Sequence, residues 1–290
     1  LTHNPISNFV VNNIVGYVDA PKLSQHPSQV VERKYFYNKT RYQELTEVDK
    51  QKTVFLVQDA FTSSYESSLI KDTVIALEGL GFSPLILPFQ VNGKAQHVKG
   101  FLTKFTETAK SACDYYNDIA TFKRPMIGLD ASMTLVYRDE YPNLLGHNKV
   151  KFKVDLLGEW LSKQVLSKSV ADKVKMALND SVTKYTVLSH CTEKSLIADA
   201  PSHWPIIFER LGLTAKPVNT GCCGMAGTFG HEKANQTVSK ELFDISWAPV
   251  LKNSEHDTVL ATGFSCRCQS KRLAQQTLKH PIQIIAGLFK

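Results

Sequence analysis

The chain has 290 residues, with 34 Lys and Arg against 27 Asp and Glu and a formal net charge of +7 at pH 7. Hydrophobic residues make up 43% and charged residues 21%, which excludes a disordered or fibrous chain. No run of apolar residues is long enough to cross a membrane as a helix. The basic residues are scattered and form no cluster with interleaved aromatics, so the excess reads as solvated surface and argues against a nucleic-acid interface.

The chain opens Leu1-Thr2-His3-Asn4, without Met or a charged and then apolar leader, and is expected to be part of a longer polypeptide. Residues 1–50 are polar and tyrosine-rich, interrupted by Pro5, Pro21 and Pro27, and read as an irregular arm or lead-in. Strand and helix signals then alternate. Thr53–Val57 is a buried-strand run, and Leu69–Leu80 is a helix stopped by Gly81. Leu85–Leu87 is a strand, residues 100–120 a helix and Pro125–Leu129 a third strand. The rhythm returns with a strand at Tyr185–Leu188, a helix at 203–211 and a strand at Ala215–Val218. A helix at 231–251, a strand at Thr258–Ala261 and a helix at 268–279 complete it. Such alternation predicts an α/β fold with parallel sheets flanked by helices.

An ungapped offset of 131 residues sets Asp59-Ala60 on His190-Cys191 and Glu78-Gly79-Leu80-Gly81 on Glu209-Arg210-Leu211-Gly212. Two further residues of offset set Ser132-Met133 on Ser265-Cys266. The expectation is therefore two tandem pseudo-repeated units, 51–150 and 151–290, behind the lead-in 1–50. The first lacks the clustered cysteines, so those cysteines serve chemistry rather than the fold.

Six cysteines are present: Cys113, Cys191, Cys222, Cys223, Cys266 and Cys268. Cys113 sits in a helical stretch and reads as a small core hydrophobe. The other five follow predicted strands of the second unit. In open parallel sheets, loops at the carboxyl ends of the strands meet in one crevice, and helices starting there aim N–H groups at it. Adjacent Cys222-Cys223 and the pair Cys266-x-Cys268 fit one tetrahedral ion poorly. They suit the separate irons of a cluster better. The run Gly221-Cys222-Cys223-Gly224-Met225-Ala226-Gly227-Thr228-Phe229-Gly230 contains neither a GxGxxG nor a GxxxxGK[ST] phosphate loop. Its glycines read as left-handed turns and as room for backbone to approach a bulky ligand.

His190-Cys191, Cys222-Cys223-Gly224-Met225-Ala226-Gly227 and Gly263-Phe264-Ser265-Cys266 together resemble the cysteine-rich CCG domain, a module found in tandem copies. The combination with a first copy lacking the clustered cysteines, reading Gln58-Asp59-Ala60-Phe61 and Gly128-Leu129-Asp130-Ala131-Ser132-Met133, is similar to the C-terminal region of large bacterial FAD-linked oxidases of the D-2-hydroxyglutarate and D-lactate dehydrogenase kind. The resemblance covers residues 50–290. It implies an iron–sulfur cluster, of 4Fe-4S type and prone to loss in air, on Cys191, Cys222, Cys223 and Cys266. His190 and Cys268 are further candidates for a ligand or a supporting hydrogen bond, and Lys194 for an anion contact. Where many such domains carry Cys-x-x-Cys, this chain has Gln269 in place of the second cysteine.

The resemblance further implies electron relay for the oxidation of a D-2-hydroxy acid. FAD and a ferredoxin-like segment would lie in other portions of the same polypeptide, with an external acceptor beyond them. No catalytic residue is expected in these 290 residues. The expected location is cytoplasmic, at most peripheral to the inner membrane. A structural zinc or regulatory thiol module and a substrate-binding cap are the alternatives.

Overall fold

The structure is a computed structural model that describes residues 16–178, 183–255 and 257–290. Among the described residues seven strands form two sheets. The first contains β1 (Thr53–Leu56), β2 (Ser83–Ile86), β3 (Met126–Gly128) and β4 (Val154–Leu156) in the order β2-β1-β3-β4. The second contains β5 (Lys184–Leu188), β6 (Thr214–Pro217) and β7 (Val259–Ala261) in the order β6-β5-β7. All pairs are parallel: Leu56 lies opposite Ile86 and Ile127, and Leu188 opposite Ala261. In each sheet the earliest strand is central, with its two successors on either side.

Parallel pairing requires crossovers, which here are helical. In the first sheet these are α1 (Ala60–Tyr65), α2 (Ser67–Gly79), α3 (Leu102–Ala120) and α4 (Ala131–Thr134), after which α5 (Leu157–Leu161) and α6 (Lys168–Ala177) lead from β4 to β5. In the second sheet α7 (Cys191–Leu196), α8 (Ala200–Arg210) and α9 (Gln236–Ser246) cross over, and α10 (Phe264–Ala274) and α11 (Pro281–Gly287) follow β7. One buried cluster joins both sheets: it holds Val54, Leu56, Ile127, Val187 and Leu260 together with Leu77, Phe208 and Ile285 from the helices. Burying each such side chain contributes about 1.5–3 kcal/mol, so the two sheets share their largest source of stability.

Several boundaries differ from expectation for local reasons. The first sheet continues past residue 150, because β4 pairs with β3. Residues 1–15 of the expected arm lie outside the described residues, and from Pro27 onward the lead-in forms short helices, Pro27–Val30, Lys39–Glu44 and Glu47–Lys52, rather than irregular chain. The helix expected over 231–251 is divided at Trp247, since Pro249 at the start of the following helix Ala248–Lys252 has no N–H to continue α9. The helix expected to begin at residue 268 begins at Phe264 and ends where Gln275 turns left-handed at φ 57°. This last shift places Cys266, as well as Cys268, on the helix.

Candidate thiol centre

Four cysteines meet at the carboxyl end of the second sheet, each delivered by a strand-to-helix connection. β5 ends at Leu188, His190 caps α7, and Cys191 is the first helical residue. β6 ends at Pro217 and leads into the loop with Cys222 and Cys223. β7 ends at Ala261, Gly263 occupies the cap position of α10, and Cys266 lies in its first turn. Cys191 and Cys222, Cys222 and Cys223, and Cys223 and Cys266 lie close enough in turn to shift one another's ionisation. Cys223 and Cys266 are buried, whereas Cys191 and Cys222 are half-buried at the mouth.

The row is electrically uneven. Hydrogen bonds from Cys191 and Cys223, joined by the Gly224 N–H at 3.3 Å from the Cys222 sulfur, drive the Cys222 thiol far below its ordinary range. The same bonds, together with burial, push Cys191 and Cys223 upward. Cys222 is thus the member already disposed to be a thiolate, the form that binds metal or attacks an electrophile.

The glycines around the row have steric work to do. Gly224 has φ +82°, and a Cβ there would lie 2.1 Å from the Ser239 carbonyl oxygen on α9. Its close approach is therefore to the backbone of α9. The expected left-handed turns are observed at Gly224 and Gly227. Ser239 Oγ donates to the Gly224 carbonyl at 2.8 Å and accepts from Gln269 Nε2 at 2.8 Å. Gln269, one turn after Cys266, thereby ties α10 to the cysteine loop through a side chain.

His190 caps α7: its Nδ1 accepts the Thr192 N–H at 3.1 Å, which leaves the proton on Nε2. Its own N–H is held by Thr262 Oγ1 at 2.9 Å and by Glu193 Oε2 at 3.3 Å. Burial lowers its pKa, so the ring is neutral, and burial likewise raises Glu193 to about 7. Gly263 makes room for this imidazole, because a Cβ on it would lie 2.2 Å from His190 Cδ2.

The other candidates lie elsewhere. Cys268 is two residues beyond Cys266 on α10, about 200° around the helix. It faces away from the row toward His231 Nε2, 3.8 Å from its sulfur, and lines a cavity of about 690 Å3 with Phe264, Arg267 and residues 19–24. Burial raises its thiol to about 11. Lys194 places its ammonium on the Thr220 carbonyl and on Asn219 Oδ1 at 3.1 Å, so it clasps the loop leading to Cys222. Cys113 is buried in the aromatic core beside the first sheet, its sulfur 3.4 Å from the Lys149 carbonyl.

Asp130, Glu66 and Arg267 adjoin the site, although nothing in the cysteine pattern singles them out. Asp130 Oδ2 accepts the Phe264 N–H at 3.0 Å, and buried Arg267 is paired with Glu66. A signal existed for Asp130. The 133-residue offset sets it opposite Gly263, a capping position with no capping side chain.

The donor set fits a soft, thiolate-bound group, for it is all sulfur, partly exposed and supplied by three connections. Among the described residues no three His, Cys, Asp or Glu side chains are grouped to hold one ion. No protein-family model matches the chain.

Over almost its whole length the chain is similar to part of D-2-hydroxyglutarate dehydrogenases. It is 38% identical to that of Haemophilus influenzae over 98% of this chain and 28% of that protein. It is also 38% identical to that of Escherichia coli K12, over 99% of this chain and 28% of that protein. A more distant likeness, 24% identical over 78% of this chain and 56% of the relative, is to one component of the anaerobic glycerol-3-phosphate dehydrogenase of Escherichia coli K12. The chain thus spans little more than a quarter of the length of the D-2-hydroxyglutarate dehydrogenases it matches.

Proposed function

We propose that this chain is the iron–sulfur-binding, electron-relay region of a flavin-linked dehydrogenase that oxidises a D-2-hydroxy acid. The observation that carries the reading is the row of four thiols at the second sheet, in a chain similar across nearly its length to part of D-2-hydroxyglutarate dehydrogenases. Cys191, Cys222, Cys223 and Cys266 are the ligands. When bound, the cluster supplies one-electron storage and transfer.

The chain's own residues do the rest. Cys222 offers a thiolate at the mouth, and His190 holds α7 and, through its Nε2–H, one donor beside Cys222. Lys194 fixes the approach to the Cys222 loop, and Gln269 and Ser239 fix its exit. Cys268 stands outside the set on the far face of α10.

In this reading the chain comprises a lead-in and two tandem units, the first running on through β4 and the second carrying the cluster. The shared strand order, with the earliest strand central in each sheet, supports the duplication. Flavin and ferredoxin-like portions of the same polypeptide are the partners, and an external acceptor takes the electrons. No helix among the described residues is long and apolar enough to cross a membrane.

The test is iron and acid-labile sulfide on protein purified and reconstituted without air. Wild type should carry both with broad absorbance near about 400 nm, and C222S and C223S should lose them. Stoichiometric zinc without sulfide would overturn the relay and favour a structural zinc module.

A further inference from the structure

We propose that the part of the chain built around the first sheet, which lacks the clustered cysteines, positions Cys266, with Asp130 capping the helix that carries it and Glu66 pinning Arg267 beside it. The inference rests on reading Cys266 as a ligand. It begins from a deficit. The first N–H groups of any helix need acceptors from outside the helix. Gly263, at the cap position of α10, has no side chain to offer one and makes no cap bond. Nor can a capping residue replace it, since any Cβ would run into the His190 ring.

The acceptor comes from 134 positions earlier in the chain. Asp130 Oδ2 takes the Phe264 N–H at 3.0 Å. Its Oδ1 takes the N–H groups of Ser132 and Met133 at 3.0 and 3.2 Å and the Ser132 hydroxyl at 2.6 Å. One carboxylate therefore caps α4 and α10 together. Serine has one oxygen to give and asparagine turns an NH2 toward one of the two helices, so only a side chain with two accepting oxygens meets both demands.

The next turn is held from the same side. Arg267, 4% exposed, gives Nε and Nη2 to the Glu66 carboxylate and Nη1 to the carbonyls of Ala261 and Thr262 at 2.9 and 3.0 Å. The Phe264 ring stacks on Phe61 and Tyr65 at 4.9 and 5.5 Å between centroids. Residues 264 and 267 flank Cys266, and both are gripped by segments of the first sheet's connections. A ligand on a helix held at both sides keeps its sulfur in place, which is what a supporting shell is for.

The experiment compares D130A with C113A in the full chain. C113A loosens the first part from its own aromatic core, far from α10 in the packing. Two readouts are taken: the alkylation rate of Cys266 on reduced, metal-free protein, located by mass spectrometry, and the midpoint potential and g-values of the reconstituted centre. Loss of the cap should speed alkylation about tenfold in D130A relative to C113A. Removal of a buried negative charge should move the potential upward in D130A alone. If D130A does not fold, D130N, which keeps the volume and turns one acceptor into a donor, should show both effects in the same direction. Equal alkylation or an equal potential in the Asp130 variant and C113A would overturn the proposal. Failure of wild type to assemble any centre would instead defeat the ligand reading on which it rests.

Discussion

Replacing Gly224 by Ala should be far more costly than replacing Gly227, although both glycines are left-handed and three residues apart. At Gly227, φ is +67° and a Cβ meets nothing within 4 Å, so only conformational strain is added, about 1–2 kcal/mol. At Gly224 the same strain applies, and the new Cβ lies 2.1, 3.0 and 3.2 Å from the carbonyl oxygen, carbonyl carbon and Cα of Ser239. These are helix backbone atoms and do not swing aside, so overpacking adds about 1–3 kcal/mol. The expected losses are therefore about 2–5 kcal/mol for G224A against about 1–2 kcal/mol for G227A. Urea unfolding followed by tryptophan fluorescence suits the comparison, because Trp247 Nε1 donates to the Gly221 carbonyl at 3.1 Å and so reports on this loop. Losses within about 0.5 kcal/mol of each other, the scatter of ordinary surface changes, would refute the steric account and leave turn conformation alone as the role of both glycines.

Breaking the Glu66–Arg267 pair by E66Q should cost roughly 3 kcal/mol, the low end for buried pairs because the Glu66 side chain keeps 24% exposure, and R267M added to E66Q should recover part of the loss in the same assay. Burial, with the Asp130 charge second, raises Asp59 from 3.8 to about 7. The folded chain thus holds a proton there that the unfolded chain has released between those values, and this contribution, whole in acid, is lost as pH rises to about 7. D59N does not titrate, so its stability relative to wild type should improve between about pH 4 and about pH 7 in urea midpoints, and a flat difference would contradict the shift. C268S should retain iron and sulfide after reconstitution while C266S loses them, because the two sulfurs lie on opposite faces of α10; equal loss would place Cys268 among the ligands.

The alternation of strand and helix was readable because apolar runs such as Thr53–Leu56 and Val259–Ala261 are buried on both faces and carry no polar interruption. β4 was not, since Val154-Asp155-Leu156 is three residues long and its burial alternates. α10 was set four residues too late for a related reason. Its first turn, Phe264-Ser265-Cys266-Arg267, has no capping residue and no amphipathic pattern, and all four side chains are buried. The usual markers of a helix start are absent there because the neighbouring sheet supplies both the cap and the burial.

The same cause separates the parts of the site that could be read from those that could not. Cysteines betray themselves by type and spacing, whichever fold surrounds them. Asp130, Glu66 and Arg267 are ordinary charged residues in sequence, and their meaning comes from contacts 134 and 201 positions away. One local clue still crosses that distance. A glycine where a helix needs a cap states that the acceptor is elsewhere, and the 133-residue offset names the matching position, where Asp130 carries two oxygens. The first unit, without clustered cysteines of its own, is thereby tied to the helix that presents Cys266. Asp130 shows how: a side chain that caps one helix beside the first sheet also completes a helix beside the second.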